Sequence, residues 1–180
     1  MIATIIAALA VASLAASSGP DKERLPEWSL VAAQVDNAGP LVDFAAAFPT
    51  APSVQAHEPE NGNDSGSWIY DCTQNGATMR VQIDQFPGNI RVPAPTIAMY
   101  QLLLRTYAAK EHWSLQSARP VQMGEFSGLE GHLQNDRGET ETRRILMVGR
   151  RVFQISYRQT GDAGADDAHR FLESFRITPR

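Results

Sequence analysis

Two short segments that alternate apolar and polar side chains about a glycine turn constrain this chain most. Trp68, Tyr70 and Cys72 alternate with Ile69, Asp71 and Thr73, and Met79, Val81 and Ile83 alternate with Arg80, Gln82 and Asp84. A period of two puts every second side chain on one side of a pleated strand, so each run predicts a half-buried strand. Between them stands Asn75-Gly76, the dipeptide that best tolerates the positive φ angles of a type I′ turn. The pair predicts a β-hairpin whose register follows from the turn.

The same alternation recurs at Val42, Phe44, Ala46 and Phe48 before Pro49 and Pro52, which predicts another strand. Trp28 to Val35, ended by Asn37, Gly39 and Pro40, is apolar without a decisive period; it is read as a strand, with helix as the alternative. Further strands are expected near Leu115 to Met123, Leu129 to Gln134, Thr142 to Val148 and Val152 to Tyr157, with turns at Asp136-Arg137-Gly138 and Gly149-Arg150. Pro93 and Pro95 introduce a helix whose stripe is Ile97, Tyr100, Leu104, Tyr107 and Ala108. Asp162 is the expected cap of a last helix carrying Ala168, Phe171, Leu172 and Phe175, followed by a polar tail. Strands in runs, with one helix between the runs and one after them, predict an α+β fold with helices on a largely antiparallel sheet. They exclude a parallel dinucleotide fold, which needs alternating strands and helices and a glycine-rich first turn.

A length of 180 residues suits one domain, and 43% apolar with 20% charged residues is a globular composition. A net charge of -4 supplies no general attraction to phosphate backbones, so nucleic acid is not an expected partner. Ile2 to Ala16 is dominated by Ile, Ala, Leu and Val, and small residues follow where a signal peptidase would cut. We therefore expect a signal peptide at 1–17, a short tether at 18–27 and a single domain at 28–180, with export to the periplasm or cell exterior. No Lys or Arg precedes the apolar run, so an uncleaved anchor is the alternative. Cys72 is the sole cysteine; it closes no intrachain disulfide, and its phase with Trp68 and Tyr70 places it in the core.

Phe44-Ala45-Ala46-Ala47-Phe48-Pro49-Thr50-Ala51-Pro52 resembles the opening strand of PsbP-like domains. Gly149-Arg150-Arg151-Val152-Phe153-Gln154-Ile155, followed by Arg170-Phe171-Leu172-Glu173-Ser174-Phe175, is similar to that family's last hairpin and closing helix. The resemblance spans roughly Val42 to Ile177. It implies an α-β-α sandwich with a central antiparallel sheet and two main helices, and a role in protein contact without catalysis. It carries over no catalytic residue and no cofactor.

The motifs that would bear chemistry have plainer explanations. Asn63-Asp64-Ser65-Gly66 with nearby His57 looks like a protease nucleophile loop, but a triad draws its members from separate elements, whereas these share one polar loop. Glu58, Glu60 and Asp64 lack the spacing of a calcium loop. His57, His112, His132 and His169 fall on four different expected elements, which gives a zinc site no local support. Tyr100, Tyr107 and Trp113 are expected to fill the core, with a ligand pocket between helix and sheet as the alternative. Arg143, Arg144, Arg150, Arg151 and Arg158 cluster on the last hairpin; they form a possible docking surface for an acidic partner, or keep an exposed strand face soluble. The expected function is that of a noncatalytic exported accessory or protein-binding domain whose partner is another envelope protein, with no catalytic, metal or cofactor residues assigned. A small hydrolase with an unassigned site and a carrier of a small apolar ligand are the alternatives.

Overall fold

A computed structural model of the chain describes residues 28–34, 42–59, 61, 63–161 and 164–179. The expected signal peptide and tether, the turn at Asn37 to Pro40 and the Asp162 cap lie outside the described residues. In chain order the elements are β1 (Ser29–Gln34), β2 (Val42–Phe48), β3 (Ser53–His57), β4 (Gly66–Gln74), β5 (Ala77–Gln85), α1 (Ile97–Lys110), β6 (Trp113–Met123), β7 (Phe126–Asn135), β8 (Glu139–Val148), β9 (Arg151–Thr160), α2 (Ala165–Ser174) and β10 (Arg176–Pro179). β1, β2 and β10 form a three-stranded sheet, and the others form a seven-stranded sheet in the order β3-β4-β5-β9-β8-β7-β6. Every paired strand is antiparallel. The fold is thus α+β and mostly antiparallel sheet, as the grouping of strands and helices predicts. No helix among the described residues is long and apolar enough to cross a membrane.

The first hairpin forms as its turn dictates: Asn75 and Gly76 have φ of 52° and 76°, both positive as type I′ requires, and Trp68, Tyr70 and Cys72 pair with Ile83, Val81 and Met79. Two strands depart from the expectation. β3 is exposed at every position; its ladder to β4 alone holds it, and with no buried face it carries no alternation to read. β10 occupies the expected polar tail, pairing with β2 so that Ile177 lies opposite Phe44.

Consecutive residues of β8 divide between two cores. Leu146 packs with Phe44, Phe48, Phe153, Phe171 and Phe175, so this face lies against α2 and the three-stranded sheet. Ile145 and Met147 pack instead with Tyr100, Leu104 and Ala108 of α1. A strand buried on both faces loses its polar alternation, which is why Ile145-Leu146-Met147 reads as a continuous apolar run.

α1 begins at Thr96, whose hydroxyl accepts from Met99 N at 3.2 Å and satisfies one of the free donors of the first turn. Tyr100, Leu104 and Ala108 of its expected stripe are buried, whereas Ile97 is 40% exposed. The helix comes down on Gly131, where a Cβ would collide with Leu104 Cδ2. It packs chiefly on β6, β7 and β8. Beside it the same face of β5 and β9 presents polar side chains.

Candidate functional site

Strand register builds a cationic pocket at the border between α1 and this polar face. Arg80 on β5 stands opposite Ser156 on β9, and Ser156 stands opposite Arg143 on β8, so a short side chain lies between two arginines in one cross-strand row. The next row is Thr78, Arg158 and Glu141, and the row on the other side is Gln82, Gln154 and Ile145. Directly opposed side chains share a face. Arg80, Gln82, Arg143, Val152, Gln154 and Arg158 therefore line the sheet side of a cavity of about 260 Å³, and Leu103, Thr106, Tyr107, Lys110 and Glu111 line it from α1 and its end.

Carboxylates hold the arginines in place, one of them buried. The Glu141 side chain is 0% exposed and accepts from Arg143 Nε at 2.7 Å, Arg158 Nε at 3.1 Å and the Tyr107 hydroxyl at 3.0 Å. Arg143, itself 2% exposed, also donates through Nη1 to Gln154 Oε1 at 2.8 Å, and its guanidinium lies 3.5 Å from the centre of the Tyr107 ring. Such stacking on an aromatic face suits a planar cation. Arg158 Nη2 donates to the Tyr107 hydroxyl at 3.2 Å, and its guanidinium sits 4.9 Å from the Trp113 ring centre. Arg80 donates to Asp71 through Nη2 at 2.8 Å. Asp84, a strand position further along β5, accepts from Gln82, Gln154 and Ser67.

The hydrogen bond from Arg80 to Asp71 raises the Arg80 pKa despite burial. Burial works against the Arg158 charge, but Glu141 and Tyr107 outweigh it and the net shift is upward. Burial pushes the Tyr107 phenol up. These groups keep their protons across the physiological range, so the pocket can bind and orient negative charge but offers no arginine or phenol poised to relay a proton.

Of the five arginines expected on the last hairpin, the structure brings Arg143 and Arg158 together here and separates the rest. The expectation of an exposed strand face is corrected: β8 and β9 are interior strands, and Arg143, Arg144 and Arg151 are 2%, 7% and 3% exposed. Arg144 points to the opposite face, where it donates to Glu130 Oε2 at 2.7 Å, the Leu172 carbonyl at 2.9 Å and Glu173 Oε1 at 2.6 Å, tying α2 to the sheet. Arg151 donates to Gln85 at 3.1 Å, and the Arg150 carbonyl accepts from Phe86 N in the neighbouring loop. Sequence reasoning missed Arg80 and Lys110. Arg80 was findable, because an Asn75-Gly76 turn alone places Arg80 opposite Asp71; Lys110 had no signal beyond its helix.

The other candidates separate as well. Tyr100 and Trp113 are core residues, and Tyr107 alone of the three lines the pocket. Cys72 is buried and lies 3.2 Å from the Thr50 hydroxyl. His57 and Ser65 are both exposed. Among the described residues no three His, Cys, Asp or Glu side chains gather where they could hold a metal ion. A hydroxyl, an imidazole and a carboxylate do line up on the α2 side of β7 and β8: His132 Nδ1 is 3.1 Å from Thr142 Oγ1 and its Nε2 is 3.5 Å from Glu130 Oε1. Glu130 Oε1 is already bound by Arg119 Nη2 at 2.6 Å, and 3.5 Å is too long for an orienting hydrogen bond. Thr142 and His132 stand opposite each other within the β7 and β8 ladder, where backbone N–H groups serve strand pairing and do not converge on a developing oxyanion.

No protein-family model, curated protein or solved structure matches this chain.

Proposed function

We propose that this chain is a noncatalytic binding domain, exported to the cell envelope, whose α1 pocket receives an acidic group presented by another envelope protein. The proposal includes the PsbP-like assignment and its finer architecture: an α-β-α sandwich with α1 and α2 as outer layers. One observation carries the reading. Arg80, Arg143 and Arg158 line a single pocket together with Lys110, and each arginine is braced by a carboxylate. Guanidinium groups fixed in advance recognise carboxylates through paired hydrogen bonds without first losing side-chain freedom. A hydrolase would need a group that exchanges protons near neutrality, and a carrier of an apolar molecule would need an apolar lining; the pocket's cations and amides favour neither.

The test is crosslinking of the full chain in an envelope fraction, with wild type and Lys110→Glu compared side by side. A partner recovered with wild type and lost with the charge reversal supports the reading. Repeated recovery of the protein alone, or equal recovery with both, refutes it.

A further inference from the structure

The cations of the pocket form two centres. Arg80 and Arg143 lie on strands separated by β9, so their backbones stand about 10 Å apart. Their heads are held in different surroundings: Arg80 is drawn to Asp71 on β4, away from β9, while Arg143 and Arg158 share Glu141 on β8. Ser156 between them has the shortest side chain in the row and leaves the floor low. Each guanidinium keeps one terminal nitrogen with no hydrogen-bond partner among the described residues: Nη1 of Arg80, Nη2 of Arg143 and Nη1 of Arg158. Lys110 adds a flexible ammonium at the α1 side, and Glu111 is the one acidic side chain in the lining.

We infer that the pocket is a site for a ligand bearing two carboxylates joined by a short chain, one seated at Arg158, which Glu141 holds beside the buried Arg143, and the other at Arg80. This rests on the reading of the pocket as the binding site, and adds the ligand's chemistry. A single oxyanion, planar or tetrahedral, engages one centre and leaves the other as it was. A diacid engages both, and planar guanidinium forks match carboxylates at each end. The cavity of about 260 Å³ falls just below the roughly 300–1,000 Å³ of pockets for drug-sized molecules, and accommodates a small diacid or a pair of acidic side chains. The common chemistry is the pair of carboxylates; a free diacid and an acidic stretch of polypeptide are its two sources.

The test is calorimetric titration of the full chain with succinate, glutarate and the blocked dipeptide acetyl-Glu-Glu-amide, with butyrate and inorganic phosphate as single-anion probes. The inference expects saturable binding at one site by at least one diacid, at least tenfold tighter than butyrate or phosphate. Which of the free diacid or the dipeptide binds more tightly identifies the source. Lys110→Ala and Arg80→Gln should each weaken the diacid about tenfold, the share of one charged hydrogen bond. Lys110 is exposed and its ammonium has no hydrogen-bond partner among the described residues, so its variant should melt with wild type and remain interpretable if Arg80→Gln is unstable. Phosphate or butyrate binding as tightly as the diacids overturns the inference, as does failure of every diacid to saturate. If the diacids fail while crosslinking to a partner still depends on Lys110, the two-carboxylate assignment falls and the binding role stands.

Discussion

Replacing Glu141 by Gln perturbs the pocket's support at its centre while preserving side-chain shape. The carboxylate accepts hydrogen bonds from Arg143, Arg158 and Tyr107 at 2.7, 3.1 and 3.0 Å. A Gln amide has one acceptor oxygen and turns an NH2 group toward donors, so at least one of these contacts becomes donor against donor. Arg158 is 36% exposed and recovers hydration, but Arg143 is 2% exposed and cannot. Leaving one member of a buried ion pair uncompensated costs about 3–5 kcal/mol, and the loss expected here is about 3–4 kcal/mol because Gln154 and the Tyr107 ring still hold Arg143. In urea, where the slope for a small domain is about 1–3 kcal/mol per molar, that lowers the midpoint by about 1–4 M. Tryptophan fluorescence follows the transition. The double variant Glu141→Leu with Arg143→Met should regain most of the loss, since a well-packed apolar pair commonly equals or exceeds a buried ionic one. A Glu141→Gln loss below about 1 kcal/mol, or a double variant no better than the single, would refute the reasoning.

Other outcomes follow from the same structure. Gly131→Ala should destabilise by about 1–3 kcal/mol through overpacking against buried Leu104, and combining it with Leu104→Ala should cost less than the sum of the two single changes in urea melts. Burial pushes the Glu130 carboxyl up, but hydrogen bonds from Arg144 and Arg119 together hold it below its ordinary value of 4.5, and Arg144 lowers Glu173 likewise. Their contribution is therefore present above the ordinary glutamate range and fades as pH falls through the lowered values; the gap in urea midpoint between wild type and Arg144→Gln should be constant near neutrality and shrink below about pH 4.5. Cys72 is buried, so a thiol reagent should label it only as fast as the domain opens, and immediate stoichiometric labelling of native protein would contradict its placement.

The hairpin of β4 and β5 was readable because one turn dipeptide and one period determine it, and α2 because Ala168, Phe171, Leu172 and Phe175 recur at spacings of three and four. β3 was not, because an edge strand exposed throughout has no apolar pattern. β10 was hidden because a strand made of Arg176, Ile177, Thr178 and Pro179 has no periodicity of its own and is stabilised by pairing with β2. The pocket was half legible. Arg143 and Arg158 stand out on their hairpin, but their neighbour Arg144 faces the other way, and charge clustering along a sequence says nothing about which face a side chain takes. Pairing of β5 with β9, two elements more than sixty residues apart, puts Arg80 beside them. Nothing local specifies that pairing; it is set by burial of Val81 and Ile83 against Ile155 and Phe153 on the opposite side.

The most direct measurement is a titration of isotopically labelled full chain with succinate, glutarate and acetyl-Glu-Glu-amide in turn, followed residue by residue through backbone amide shifts. A two-carboxylate pocket beside α1 predicts saturable shifts centred on Arg80, Gln82, Thr106, Lys110, Gln154 and Arg158, with the β4 to β5 turn at Asn75 and Gly76 unmoved. Shifts centred on that turn, or none with any of the three, would contradict it.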